Sequence, residues 1–184
     1  MNTLLPEHQI ETAELLSLAE RLADELEVLR GENARLVEQL RTDALTGIAS
    51  RAAWDEALRA LERSREGEAL SVVVVDVDEL KTVNDEAGHA AGDALLRRCA
   101  QLLAQSVRRG DLVARIGGDE FGVLLRAADE SQAATWCARL EGGEAERWSI
   151  GWASVPPADS LCDAVAQADR RMYEHKLARR MARR

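Results

Sequence analysis

Between Leu70 and Val77 the chain reads Leu-Ser-Val-Val-Val-Val-Asp-Val, and four valines in succession leave few options. β-Branched side chains favour extended backbone. A run without polar alternation fits a strand covered on both faces, at the centre of an α/β sheet. In open sheets of this kind ligands gather at strand ends, where Asp76 and Asp78 stand. A carboxylate closing so apolar a run is costly unless a cation or hydrogen bonds satisfy it. Asp76 therefore reads as a metal ligand, with capping of the following helix as the competing role.

A second acidic centre lies further on. Arg115-Ile116-Gly117-Gly118-Asp119-Glu120-Phe121-Gly122-Val123-Leu124-Leu125 reads as a β-hairpin with two adjacent carboxylates in its turn. Gly117 and Gly118 permit positive φ and, lacking Cβ, allow a phosphate or another backbone to come close. Asp119 and Glu120 repel each other unless a cation sits between them, and hard oxygen ligands suit Mg²⁺. The turn alone is equally compatible with a solvated hairpin tip.

Only six residues are aromatic, four of them Trp, so the core must be mainly Leu, Val and Ala, which suits helices packed on a sheet. From Thr12 to Leu40 a seven-residue beat replaces this pattern. Leu15, Leu22, Leu29 and Leu36 fall at d positions, and Ala19, Leu26, Asn33 and Leu40 at a positions. Leu at every d with one Asn at a favours two parallel strands in register, and Glu25 at g can meet Arg30 at e of the partner. The competing reading is one amphipathic helix folded back on its own domain. A DNA-binding zipper is excluded because Met1 to Glu14 is acidic where a basic region belongs.

A net charge of −9 argues against sequence-independent binding to nucleic acid or anionic lipid. No apolar run approaches the length of a membrane span, about 20 residues, and no signal peptide opens the chain. A soluble, cytoplasmic protein is expected. Cys99, Cys137 and Cys162 lack metal-ligand spacing and read as reduced packing residues.

Ser50 is a candidate N-cap for a helix carrying Trp54, Ala57, Leu58 and Leu61, and residues 64–68 form a turn. After the valine strand come a short helix over Glu79–Ala87 ended by Gly88, and a link, His89 to Asp93, into a longer helix bearing Leu95, Leu96, Cys99, Leu102, Leu103 and Val107. Asn84 and Asp93 flank this corner. An amide and a carboxylate can match the edge of guanine, while Asp93 also suits a helix N-terminus by its charge. A helix over Glu130–Leu140, a strand over Trp148–Ala153, a break at Pro156-Pro157 and a last helix from about Asp159 complete the chain. That helix turns Leu161, Val165, Ala168, Met172 and Leu177 inward, with Lys176, Arg179 and Arg180 available to anions.

These residues together resemble the GGDEF-domain diguanylate cyclases. Gly117-Gly118-Asp119-Glu120-Phe121 is the family signature in full. Asp43-Ala44-Leu45-Thr46-Gly47 is similar to its D-x-L-T-G opening, and Asp76-Val77-Asp78 with Lys81, Asn84 and Asp85 to its D-x-D-x-x-K-x-x-N-D stretch. Gly88-His89 with Gly92-Asp93 resembles G-H-x-x-G-D, and Ser149-Ile150-Gly151 the late strand. The likeness covers Asp43 to Arg180 with the motifs in order.

The resemblance implies a palm-like α+β domain over residues 43–184, a central mixed sheet flanked by helices, preceded by a dimerising coil over residues 1–42. It implies synthesis of cyclic di-GMP from two GTP by a homodimer. Asp76, the Val77 carbonyl, Asp119 and Glu120 would hold Mg²⁺, or Mn²⁺ in its place, with Asp119 as base for the ribose 3′-hydroxyl and Glu120 and Lys81 as catalytic partners. Asn84 and Asp93 would read guanine. His89, Gly117 and Gly118 would line the substrate site, and Lys81, Lys176 and Arg180 would neutralise phosphate. Arg108 and Asp111 match the R-x-x-D product-inhibition site, with Arg139 as a second arginine, against the alternative of a surface ion pair. Members of the family carry sensor domains upstream, so the chain reads as a short cyclase or as part of a longer protein. The competing function is a catalytically silent cyclic di-GMP receptor or dimerisation module. Ser50 stands where the family often has Asn and Leu80 where it usually has Phe, and the stretch from Arg126 to Trp148 is short.

Overall fold

The computed structural model describes residues 6–64, 69–142, 148–156 and 159–182. It divides into two compact units, one ending at Gln39 and the other beginning at Leu40. The first is formed by a single helix, α1 (Pro6–Leu40). Its d-position leucines, Leu15, Leu22, Leu29 and Leu36, are 61%, 50%, 60% and 60% exposed, an apolar row open along the helix.

The second unit runs α2 (Arg51–Ser64), β1 (Leu70–Val77), α3 (Leu80–Ala87), α4 (His89–Ser106), β2 (Leu112–Arg115), β3 (Glu120–Arg126), α5 (Glu130–Glu141), β4 (Trp148–Val155) and α6 (Leu161–Ala182). The sheet order is β2-β3-β1-β4. The α+β palm-like class is as expected, but every pairing among these four strands is antiparallel, where a mixed sheet was expected. The reason is topological. The α3–α4 crossover brings β2 back parallel to β1 but one place further out, and the hairpin folds β3 into the gap, giving a split β-α-β arrangement.

The valine run is buried along its whole length, as its composition demands. Val73, Val75 and Val77 point with Phe121 and Val123 toward Leu96, Cys99 and Leu103 of α4 and Trp136 and Cys137 of α5. Val72 and Val74 point the other way with Leu124, against Trp54 of α2 and Leu161, Ala164, Ala168 and Met172 of α6. Each buried valine contributes on the order of 1.5 kcal/mol, so this strand anchors both layers.

Two glycines set the spacing of the second layer. A Cβ on Gly122 would come within 2.7 Å of the Trp54 ring. On Gly151 it would lie 2.0 Å from the Ala168 carbonyl oxygen and 2.1 Å from the Met172 nitrogen, so α6 rests backbone-on-backbone against β4.

Several boundaries differ from expectation. Ser50 does cap α2, accepting from the Ala53 N–H at 3.3 Å. Glu79 sits at φ +65° outside α3, which begins at Leu80. Gly88, at φ +81°, separates α3 from α4 alone, and the expected link at Ala90-Ala91-Gly92 is already helical. Along α6 the stripe of Leu161, Ala164, Ala168 and Met172 is buried, while Leu177 is 37% exposed and Val165 only partly covered. Cys99 and Cys137 are buried, but Cys162 is exposed and does not pack. Burial and the nearby Glu141 charge push the Cys137 thiol up to about 12, which leaves it inert. The turn was expected at 64–68, but Ser64 is the last residue of α2; residues 65–68 and the second proline of the 156–157 break lie outside the described residues. Among those described, no helix is long and apolar enough to cross a membrane.

Candidate active site

Asp76 closes the buried strand with 3% exposure, opposite Glu120 of β3 and Ser149 of β4. It points to the face covered by α6, where Lys176 Nζ lies 2.7 Å from each carboxylate oxygen and donates to Oδ2. Oδ1 is buried and receives no hydrogen bond within accepted geometry. Desolvation raises the Asp76 pKa above the ordinary 3.8; the Lys176 hydrogen bond opposes this, and the charges of Asp119 and Asp78 add to it. Asp78 accepts from Ser149 Oγ at 2.7 Å and pairs with Arg179 Nε at 3.3 Å.

The acidic turn spans four residues between β2 and β3. Ile116 and Gly117 N–H groups both donate to the Glu120 carbonyl, at 2.9 and 3.2 Å, and the Val77 N–H donates to the Asp119 carbonyl at 2.9 Å. That last bond ties the turn to the end of β1. Contrary to expectation, neither Gly117 nor Gly118 adopts positive φ; among the described residues the positive-φ glycines are Gly47, Gly88 and Gly110. Space is what the pair provides. A Cβ on Gly118 would meet nothing within 4 Å, whereas on Gly117 it would strike Glu120 Oε2 at 2.5 Å. The Glu120 side chain therefore folds over Gly117.

Two arginines hold this turn from behind, a feature the sequence reading missed. Arg115 Nη2 donates to the Gly118 carbonyl at 2.7 Å and Arg51 Nη1 to the Ile116 carbonyl at 2.9 Å. Arg115 also pairs with Asp43 at 3.3 Å, joining the Asp43–Gly47 motif to the acidic turn. Desolvation alone would raise the Asp43 pKa, but the Thr46 hydroxyl and amide and the Arg115 charge outweigh it and hold the carboxyl below its usual range.

In front of the turn lies a concavity of about 450 Å³ lined by Lys81, Asp119, Lys176, Arg179 and Arg180 with the Val77–Thr82 segment. It gathers five of the expected site residues, Val77, Lys81, Asp119, Lys176 and Arg180. Arg179, expected to be available to anions but given no substrate role, joins them because it follows Lys176 by three residues on the same helical face. Among the described residues no group of three or more His, Cys, Asp or Glu is assembled to hold a metal. The donor chemistry nevertheless fits one: a buried carboxylate oxygen without a hydrogen bond, facing a second carboxylate, is a site that a small hard cation completes.

Asn84, His89 and Asp93 do not line this concavity; they sit at the neighbouring α3–α4 corner. A Cβ on Gly92 would fall 2.0 Å from Asn84 Oδ1, so that glycine leaves the room into which the Asn84 amide points. Asp93 beside it is partly buried, and His89, first residue of α4, is exposed.

A second concavity, about 200 Å³, opens on the α4–α5 side and is lined by Arg108, Asp111 and Arg139 with Gln132 and Trp136. Asp111 accepts from the Arg126 N–H at 2.9 Å and the Arg108 N–H at 3.1 Å. The Arg108 guanidinium donates to the Ala127 carbonyl at 3.1 Å and to that of Arg126. All three residues expected at an R-x-x-D site thus share one hollow.

The family model for the diguanylate cyclase GGDEF domain matches residues 40–182. Diguanylate cyclase TpbB of Pseudomonas aeruginosa is 40% identical over 194 residues, covering 93% of this chain and 44% of TpbB. The probable diguanylate cyclase DgcE of Escherichia coli is 45% identical over 100 residues, 51% of this chain and 9% of its own length. The chain thus spans less than half the length of these curated relatives. Among solved structures, the coiled coil and GGDEF domain of DgcB from Caulobacter crescentus, in complex with c-di-GMP, matches with a TM-score of 0.71 at 28% identity, covering 88% of this chain and 95% of that one. Diguanylate cyclase SiaD in complex with its activator SiaC, from Pseudomonas aeruginosa, gives 0.69 at 26% identity over 95% of this chain and 73% of that one.

Proposed function

The chain belongs to the GGDEF-domain diguanylate cyclase family, and on that premise we propose that residues 43–184 condense two GTP into cyclic di-GMP and two pyrophosphates, as a homodimer joined through residues 1–42. The observation that carries this reading is the Asp76 carboxylate. It is buried, the Lys176 ammonium lies 2.7 Å from both its oxygens, one of which receives no hydrogen bond, and the charge of Asp119 bears on it; Asp119 and Lys176 line the concavity together with Lys81 and Arg180.

Attack of a 3′-oxygen on an α-phosphate requires an activated hydroxyl and neutralised phosphate charge. Asp76, the Val77 carbonyl, Asp119 and Glu120 would hold Mg²⁺. The chemistry it supplies when bound is charge neutralisation on the triphosphate and acidification of the hydroxyl. Asp119 takes the 3′-hydroxyl proton. Lys81, Lys176 and Arg180 hold the phosphates, and Lys176 exchanges its partner Asp76 for a phosphate oxygen when the nucleotide arrives. The open surface at Gly118 lets the triphosphate approach the backbone, Gly117 keeps the turn narrow, and Asn84 and Asp93 read guanine with His89 beside them.

Each domain holds one GTP, so two must face each other. The exposed leucine row of α1 supports a parallel coil that brings them together and raises their effective concentration. At the second hollow, Arg108, Asp111 and Arg139 bind the product and hold the domains apart. An upstream sensor domain, where present, acts through the same coil.

The test is incubation of the purified chain with GTP and Mg²⁺ over a series of protein concentrations, with chromatography for cyclic di-GMP. A specific rate that rises with protein concentration is the expected result. No product from a confirmed dimer would overturn the proposal in favour of a silent receptor.

A further inference from the structure

Strand β4 is an edge strand, and its outward main-chain groups are taken up by α6. Arg171 Nη1 donates to the Trp152 carbonyl at 2.7 Å. One turn on, His175 Nδ1 lies 3.1 Å from the Ile150 nitrogen and 3.2 Å from its oxygen. A further turn on, Arg179 Nη1 donates to the Trp148 carbonyl. Helix positions 171, 175 and 179 thus meet strand positions 152, 150 and 148, one rung per turn against every second residue. The Arg171 guanidinium also lies over the Trp152 ring, 5.5 Å from its centroid.

Such a ladder closes an edge that would otherwise invite pairing with another strand. Its placement suggests more. The apolar contact between α6 and the sheet is made by Leu161, Ala164, Ala168 and Met172, with Ala168 and Met172 resting on Gly151, and most of these side chains are small. Lys176 follows His175 directly, and its Nζ must meet the Asp76 carboxylate at 2.7 Å. Rotating α6 by one residue would turn Lys176 by about 100° and carry it out of reach. Polar bonds to fixed main-chain atoms are what resist such a turn.

We infer that Arg171, His175 and Arg179 are positioning residues for the triphosphate subsite, fixing the axial and rotational setting of α6 that aims Lys176 and Arg180 into the 450 Å³ concavity. Arg179 belongs to both systems, since its Nε pairs with Asp78 while Nη1 holds the strand edge. Arg171 isolates the effect, because it lines no concavity among those described and acts on nucleotide only through the helix.

This inference rests on the cyclase reading, and the experiment separates the two. Binding of 3′-deoxy-GTP with Mg²⁺, which lacks the attacking hydroxyl, is measured by calorimetry on the whole chain, alongside KM and kcat for GTP. Arg171→Met keeps the apolar stem over Trp152 but cannot donate; it should raise both the Kd and KM by roughly 10-fold. Arg171→Lys, which retains a donor, should recover most of the loss. A purely structural role would lower the melting temperature and the active fraction while leaving Kd and KM unchanged, and that result overturns the ladder alone. Failure of the unmodified chain to bind 3′-deoxy-GTP overturns both the cyclase reading and the ladder built on it.

Discussion

Asp76 and Asp111 are each deeply buried aspartates beside a cation, yet the fold treats them in opposite ways. Asp111, with a side chain 4% exposed, is completed by its own neighbourhood: the main-chain N–H groups of Arg108 and Arg126 occupy its two oxygens. Its arginine remains 58% exposed, with room to meet something from solution. Asp76 is equally buried, but one of its oxygens receives no hydrogen bond and its lysine is only 20% exposed. The first carboxylate is a brace, and its arginine, though exposed, is held by the Arg126 and Ala127 carbonyls rather than by the carboxylate alone. The second is a charge met by a single ammonium group spanning both oxygens, with no main-chain donor, so a ligand that draws the lysine away must itself satisfy the carboxylate. Comparing their hydrogen bonds separates the two roles more sharply than comparing their burial.

Replacing each residue tests that contrast. Asp76→Asn should reduce cyclic di-GMP formation by roughly 1,000-fold or more, through loss of the metal ligand, while leaving the melting temperature at pH 7 unchanged or higher. A fall of several degrees would mean that Asp76 is a brace after all. Asp111→Ala should instead cost about 2–4 kcal/mol in urea unfolding, because two N–H groups lose a charged acceptor; a loss below about 1 kcal/mol would erase the difference between the two aspartates. Arg108→Ala should raise the product concentration for half-inhibition by about 10-fold with little change in stability. Unchanged inhibition would leave Arg108 as a surface partner of the 126–127 backbone.

The smallest effect is one of pH, and here Asp43 supplies the counter-example. The Asp76 pKa is raised, so the folded state holds a proton that the unfolded state has already released; its contribution to stability declines as pH rises from about 3.8 through the folded value. The Asp43 pKa is lowered, so its contribution is complete above 3.8 and is lost as pH falls through the folded value. Subtracting the stability profiles of Asp76→Asn and Asp43→Asn from that of the unmodified chain should therefore give slopes of opposite sign. Slopes of the same sign would contradict the desolvation assigned to Asp76.

The sequence makes β1 legible because a run of valines admits almost no other structure, and the acidic turn because apolar flanks enclose a Gly-Gly-Asp-Glu centre. It also brings Arg108, Asp111 and Arg139 into one proposal, and the three do share a hollow despite the short 126–148 stretch. What it conceals is of one physical kind. The Arg171–His175–Arg179 ladder and the Arg51 and Arg115 clamps are bonds from long polar side chains to main-chain carbonyls, and a carbonyl carries no residue identity to read. The start of α4 at His89 is hidden because Gly88 alone completes the turn that the Ala-Ala-Gly stretch seemed to need. Gly117 and Gly118 mislead for a related reason: the sequence shows that Cβ is absent but not whether the backbone uses the freedom or the space.

Gly151 carries no chemistry and lines neither described concavity, yet the helix bearing Lys176 rests directly on it. Adding one methyl group there moves a lever whose other end is in the proposed phosphate subsite. In a mutational scan scored by activity, Gly151 will therefore rank with the catalytic acids, and a reader of that scan without the fold in hand would assign it a substrate contact it never makes.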